Sequence, residues 1–223
     1  MKYANPEDPR TQYMFFKNFE RVISFSDGVF SIAITLMVLS LAVPAIAQND
    51  ATVELPIRLL SEWPTFFIYI ISFIIIGNWW VSHHRIFQHI NRADRTLLWL
   101  NLLFLLFITL IPFETTLIIQ YPGVPTAVAF YAFTQALAGL ILVSLWYHAT
   151  SGRRLSDPDL SQVTVQYYII RGILGSATYL ISIGIAAFNV YIAQLSWLLI
   201  GILFWWLGRE FYRNDLPIID QTE

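Results

Sequence analysis

Six long apolar blocks, separated by short polar stretches, set the pattern of this chain. A helix that crosses a membrane needs about 20 mostly apolar residues, because each rises about 1.5 Å through a hydrocarbon layer of about 30 Å. The blocks at about 21–43, 63–82, 97–119, 127–147, 168–187 and 191–207 meet that length or come close to it. The first stops at Pro44, the second at His83-His84-Arg85, and the third at Gln120-Tyr121-Pro122-Gly123. Only Phe188-Asn189-Val190 separates the last two, which predicts a tight hairpin. No gap is long enough for a soluble domain. Residues 1–223 are therefore expected to form one all-α membrane domain of six transmembrane helices.

Composition strengthens that reading. Of 223 residues, 57% are hydrophobic and 13% charged, against about 25% charged in soluble domains. The 8 Trp and 11 Tyr suit the membrane surface, where amphipathic rings anchor helices. A net charge of −2 gives no reason to expect nucleic acid as a partner. With no cysteine, disulfides, thiol nucleophiles and thiolate metal sites are excluded. The first 20 residues mix acids, bases and prolines, so no cleavable signal peptide is expected and the first span serves as its own insertion signal.

Orientation follows from the basic residues. Eleven of the thirteen fall on one side: Lys2, Arg10, Lys17 and Arg21, then Arg85, Arg92 and Arg95, then Arg153, Arg154, Arg209 and Arg213. Arg58 lies on the other side, and Arg171 lies inside the fifth span. Both termini are expected to be cytoplasmic, in a multi-pass protein of the cell membrane. No internal repeat is visible, so the symmetry of any pore has to come from several copies of the chain.

Charged groups inside a span are costly and mark candidates for function. Asp27 lies about one and a half turns into the first apolar block, six residues after Arg21. That spacing is wrong for a pair along one helix, where partners stand three or four apart. Asp27 is either wet at the interface or bonded to another helix. Farther along, Ile32, Leu36 and Leu39 fall within about 60° of one another on a helical wheel, and Ser31 and Thr35 form a hydroxyl stripe beside them. Such a face suits lipid, with hydroxyls bonded back to the helix or to a neighbour. It also suits the wall of a pore. His83, His84 and His89 lack the carboxylate or thiolate companions of a closed zinc site, so no metal is expected. A proton-sensing or structural role fits them better. Asn101, Thr109, Pro112 and nearby Glu114 read as packing and kink features of the third span.

Catalytic groupings are absent from the sequence: there is no G-x-S-x-G elbow and no H-E-x-x-H motif. The chain is not expected to be an enzyme. The carbonyl filter sequence TVGYG and an arginine ladder are missing too.

Arg21-x-x-x-Phe25-Ser26-Asp27 followed by Ile32-x-x-Thr35 resembles the signature of the transmembrane-protein-175 family of potassium channels. Trp80-x-x-His83-x-x-x-Phe87, Asp94-x-Thr96-Leu97, Leu100-Asn101 and Pro112-Phe113 resemble it as well. The likeness covers the first and third spans and the end of the second. The last three are similar only in number and hydrophobicity, and the length is that of the prokaryotic branch, with one six-helix unit per chain.

The resemblance implies a homotetramer in the bilayer, a first helix from each chain lining a central pore, and monovalent cations, potassium above all, as permeants without any cofactor. It implies that Arg21, Phe25, Ser26 and Asp27 tie that helix to its neighbours through Trp80, His83 and Asn101. Ile32 takes the position of the hydrophobic constriction, which Leu36 and Leu39 continue. Thr35 takes the position of the threonine ring tied to selectivity, with Ser31 beside it. Gly28, His84 and Arg85 depart from the family pattern at the inner mouth. The rival reading is a membrane scaffold or small-solute transporter with no open pore.

Overall fold

A computed structural model of the protein describes residues 9–153 and 155–215. The described residues hold eight α-helices: α1 Pro9–Leu36, α2 Ala51–Ser61, α3 Trp63–Phe87, α4 Arg95–Gln120, α5 Pro125–Thr150, α6 Gln162–Ala186, α7 Val190–Ser196 and α8 Leu198–Asp215. A 3₁₀ segment, Met37–Ser40, finishes α1. Among the described residues, six stretches are long and apolar enough to span a membrane: α1 with its 3₁₀ end, α3, α4, α5, α6, and α7 with α8. This is an integral membrane protein.

Helix ends depart from the expected ones in an orderly way. α3 continues through His83-His84-Arg85 to Phe87, where the apolar block stops at residue 82. The backbone ladder does not depend on side-chain polarity, and His83 turns inward while His84 and Arg85 stay exposed. α1 begins at Pro9, well before Arg21, and its 3₁₀ end closes at Ser40, short of residue 43. The sixth span is two helices, broken by a turn at Trp197. α2 was not expected from the sequence; none of its residues is buried, and it sits outside the span count. Lys2 and Arg154, used above to set orientation, lie outside the described residues.

α5 is the hub. It packs on α4 to one side and α6 to the other, while α1 packs on α3 and α4, and α8 on α6 and α7. Phe104, Ile108 and Ile111 of α4 and Tyr131, Leu145 and Trp146 of α5 are buried in the shared core. Polar side chains fix the joints. Asp94 caps α4 by accepting from the Leu97 amide at 2.8 Å, and its carboxylate also meets His148 Nε2 of α5 at 2.9 Å. Asn189 Oδ1 accepts from the amides of Tyr191 and Ile192, each at 3.0 Å, and so starts α7 and closes the predicted hairpin. Between helices, the Asn91 amide donates to Leu155 O at 2.8 Å and the Asp157 amide to His89 O at 3.0 Å. These bonds sew the α3–α4 loop to the α5–α6 loop at the basic end of the bundle.

Candidate pore face and polar network

α1 has two unlike faces. Phe30, Ala33 and Met37 turn into the bundle and are buried, with Ser26 below them and Ser40 above, at helical spacing. The opposite face has no cover among the described residues. Ile32 is 59% exposed and Leu39 75%, and Phe25 and Leu36 are exposed with them. Beside this aliphatic edge runs a line of small residues, Ser24, Gly28, Ser31 and Thr35, all exposed. The hydroxyl of Thr35 donates to its own helix, with Oγ1 2.8 Å from Ser31 O and 3.0 Å from Ile32 O. The lone pairs of its oxygen are left to face outward.

At the basic end, two polar contacts tie α1 to its neighbours. In the interior, Ser26 Oγ donates to Val22 O at 2.9 Å and accepts from Asn101 Nδ2 at 2.9 Å. With its amide nitrogen so engaged, Asn101 presents Oδ1 to His83 Nε2 at 2.9 Å. A carbonyl oxygen can only accept, so the imidazole carries its proton on Nε2. His83 is boxed by aromatic rings: Phe87 stacks at 4.0 Å, Phe104 lies parallel at 5.7 Å, and Phe30 is tilted at 5.6 Å. Ser26, Asn101 and His83 thus join α1, α4 and α3 in one buried chain.

At the edge, Trp80 Nε1 donates to Asp27 Oδ1 at 2.8 Å, and the same indole stacks on His84 at 5.5 Å. Asp27 therefore bonds to another helix. Arg21 is exposed and forms no ion pair among the described residues, and Phe25 points away from the bundle. The structure brings together Asp27 with Trp80, and Ser26 with Asn101 and His83. Within one chain it leaves Arg21 and Phe25 apart from both.

A third polar group was not foreseen as a unit. Trp79 Nε1 donates to Gln135 Oε1 at 2.8 Å, and Gln135 Nε2 donates to Glu114 Oε2 at 2.9 Å. Glu114 is fully buried, and its Oε1 has no partner among the described residues. The insertion cost that singled out Asp27 applies equally to Glu114 inside the third block; Gln135 carried no comparable signal. No cluster of three His, Asp or Glu side chains suited to a metal ion occurs among the described residues.

These helices coincide with a family match. The model described as "Endosomal/lysosomal potassium channel TMEM175" matches residues 21–112. A potassium channel of Streptomyces collinus is 36% identical over 170 residues, covering 74% of this chain and 81% of that protein. A potassium channel of Chamaesiphon minutus is 34% identical over 192 residues, covering 82% and 89%. The crystal structure of a lysosomal potassium-selective channel TMEM175 homolog from Chamaesiphon minutus superposes with a TM-score of 0.71 at 30% identity, over 87% of this chain and 98% of that one.

Proposed function

The chain belongs to the TMEM175 family of cation channels, and from that premise we propose that it conducts potassium through a pore lined by the α1 helices of four copies. The observation that carries the proposal is the uncovered face of α1. Its aliphatic edge adjoins Ser24, Gly28, Ser31 and Thr35, a line that lets helices approach closely and gains nothing from lipid. Four such helices around an axis bury the small residues against one another and turn Ile32, Leu36 and Leu39 inward. The copies sit in the cell membrane with both termini cytoplasmic, on the side rich in Arg and Lys.

Such a pore has no carbonyl ring, because each helix satisfies its own carbonyls. The Ile32 ring is the gate. A narrow apolar ring empties of water and blocks ions without a plug, and modest widening rewets it. Discrimination comes from partial dehydration, which costs potassium less than sodium. The outward oxygen of Thr35 stands in for one lost water. Selectivity of this kind is moderate. Potassium is the permeant; no cofactor takes part.

Purified protein in liposomes loaded with potassium tests the reading. Potassium efflux, carried by a species that cross-links as a tetramer, is the expected result. Tight liposomes around correctly inserted protein would instead favour the scaffold or transporter.

A further inference from the structure

Between α3 and α8 lies a cavity of about 320 Å³, floored by α5 and α6. That volume is near the lower end of the roughly 300–1,000 Å³ typical of small-molecule sites. Its walls are apolar over most of their length, with Ile71 and Ile75 of α3 on one side and Leu198 and Ile200 of α8 on the other. Polar side chains interrupt them, Asn78 and Ser82 of α3, Gln194 of α7, and Arg171 and Ser176 of α6. Ser176 Oγ is buried and has no hydrogen-bond partner among the described residues. Arg171 is only 7% exposed, with its guanidinium carbon 4.2 Å above the ring of Phe204.

No carboxylate pairs with Arg171 among the described residues. Tyr167 of its own helix hydrogen-bonds it, Tyr168 lies near it, and the positive charge of Arg85 on α3 acts against it. A buried guanidinium with no carboxylate beside it is expensive, and a like charge adds to the cost. An anion offsets both. Its depth points to the kind of anion. Tyr167 and Tyr168 stand where tyrosines mark the membrane surface, and Arg171 lies one turn deeper on the same basic side as Arg85. Basic pockets between spans at that level suit lipid headgroups.

We propose that this cavity binds an anionic phospholipid, its phosphate held by Arg171 with Arg85 nearby and one acyl chain laid along Ile71, Ile75 and Leu198. Guanidinium and phosphate match as a two-toothed pair. The apolar walls give a soluble phosphate no reason to enter. The cavity is too small for a whole lipid, so the second chain stays in the bilayer between α3 and α8.

The test reads lipid retention, so its result does not depend on conduction. Native mass spectrometry of the full chain in detergent is run with short-chain phosphatidylglycerol, short-chain phosphatidylcholine or glycerol phosphate. Phosphatidylglycerol should be retained about fivefold over phosphatidylcholine, the advantage of roughly one basic group at a membrane surface, and glycerol phosphate should not be retained. Arg171→Gln should bring the two lipids level. A Cβ on Gly201, which lines the cavity, meets no atom within 4 Å, so Gly201→Phe can fill the space in a folded chain and should abolish retention even if Arg171→Gln misfolds. Equal retention of the two lipids by the wild type overturns the proposal. So does full retention of phosphatidylglycerol by Gly201→Phe, or binding of glycerol phosphate as strong as that of the lipid.

Discussion

The indole of Trp80 bonds Asp27 across 2.8 Å, while Arg21, six residues before Asp27 on the same helix, forms no ion pair among the described residues. The partner of the carboxylate is therefore a neutral donor at a partly exposed edge. Removing one member of a buried ion pair costs about 3–5 kcal/mol, because it leaves an uncompensated charge. Hydrogen bonds to charged groups contribute about 1.5–3 kcal/mol, and the exposure of Trp80 puts this one at the lower end. Asp27→Ala and Trp80→Phe should each destabilise the protein by about 1.5 kcal/mol. A double-mutant cycle read by thermal unfolding in detergent should give a combined loss well short of the sum. Strict additivity would show that the bond contributes nothing.

Asn101 serves two partners at once, Ser26 and His83. Asn101→Leu leaves the His83 Nε2 hydrogen without an acceptor in a buried site, at a cost of about 1–3 kcal/mol, and takes the donor from Ser26, whose own hydroxyl keeps its bond to Val22 O. Ser26→Ala strands one amide hydrogen. The expected order of thermal stability is wild type, then Ser26→Ala, then Asn101→Leu. The reverse order of the two variants would break the network account.

Ile32 lies at the middle of the uncovered face of α1. If its ring is the gate, Ile32→Asn should wet it and raise conductance, and Ile32→Ala should leak more than the wild type. Single-channel recording in bilayers decides this. Wild-type conductance in both variants would move the narrowest point elsewhere on α1.

Thr35 separates an ion contact from helix packing, because its hydrogen is already committed to Ser31 O and Ile32 O. Thr35→Ser keeps an outward oxygen, and Thr35→Val keeps the shape without it. Under bi-ionic conditions the valine variant should lose potassium preference, shifting the reversal potential toward that of a non-selective pore, while the serine variant holds near wild type. An unchanged reversal potential with a lower melting temperature would leave Thr35 a packing residue.

His89 lies outside the spans, between Trp146 and Tyr168 at 6.1 Å from each. Desolvation lowers its pKa from the usual 6.5, and Asp157 opposes the shift only in part. The folded state therefore favours neutral imidazole. This contribution is complete above about pH 6.5, where the unfolded chain is also neutral, and is lost as pH falls from there through the lowered folded value. His89→Gln should flatten the fall in melting temperature between about pH 7 and pH 5. An equally steep fall in the variant would assign the effect to another group.

The six spans were legible because each apolar block is too long and too poor in charge for any soluble element. Their ends were not, because a helix keeps its ladder beyond the hydrocarbon, as α3 does through His84 and Arg85. The cost of Asp27 was readable from its place in the block, but that left it either wet at the interface or bonded to another helix. Choosing Trp80 over His83 was not readable, since a residue 53 positions away is brought near only by the packing of α1 on α3. Glu114 shows a different gap: its cost was visible, but beside Pro112 it read as part of a kink. α2 was missed because its eleven residues are too few for a span and Pro56 interrupts them.

The 3₁₀ end of α1 makes Leu39 a separately adjustable rung. At about 120° and 2.0 Å per residue, Leu39 stands almost directly over Leu36. Winding the same three steps as α-helix, at about 100° and 1.5 Å each, would swing Leu39 by about 60° and draw it in by about 1.5 Å. Ile32, on the regular part of the helix, would not move. The far end of the aliphatic edge can thus be turned like the last ward of a key while the rung below it keeps its place.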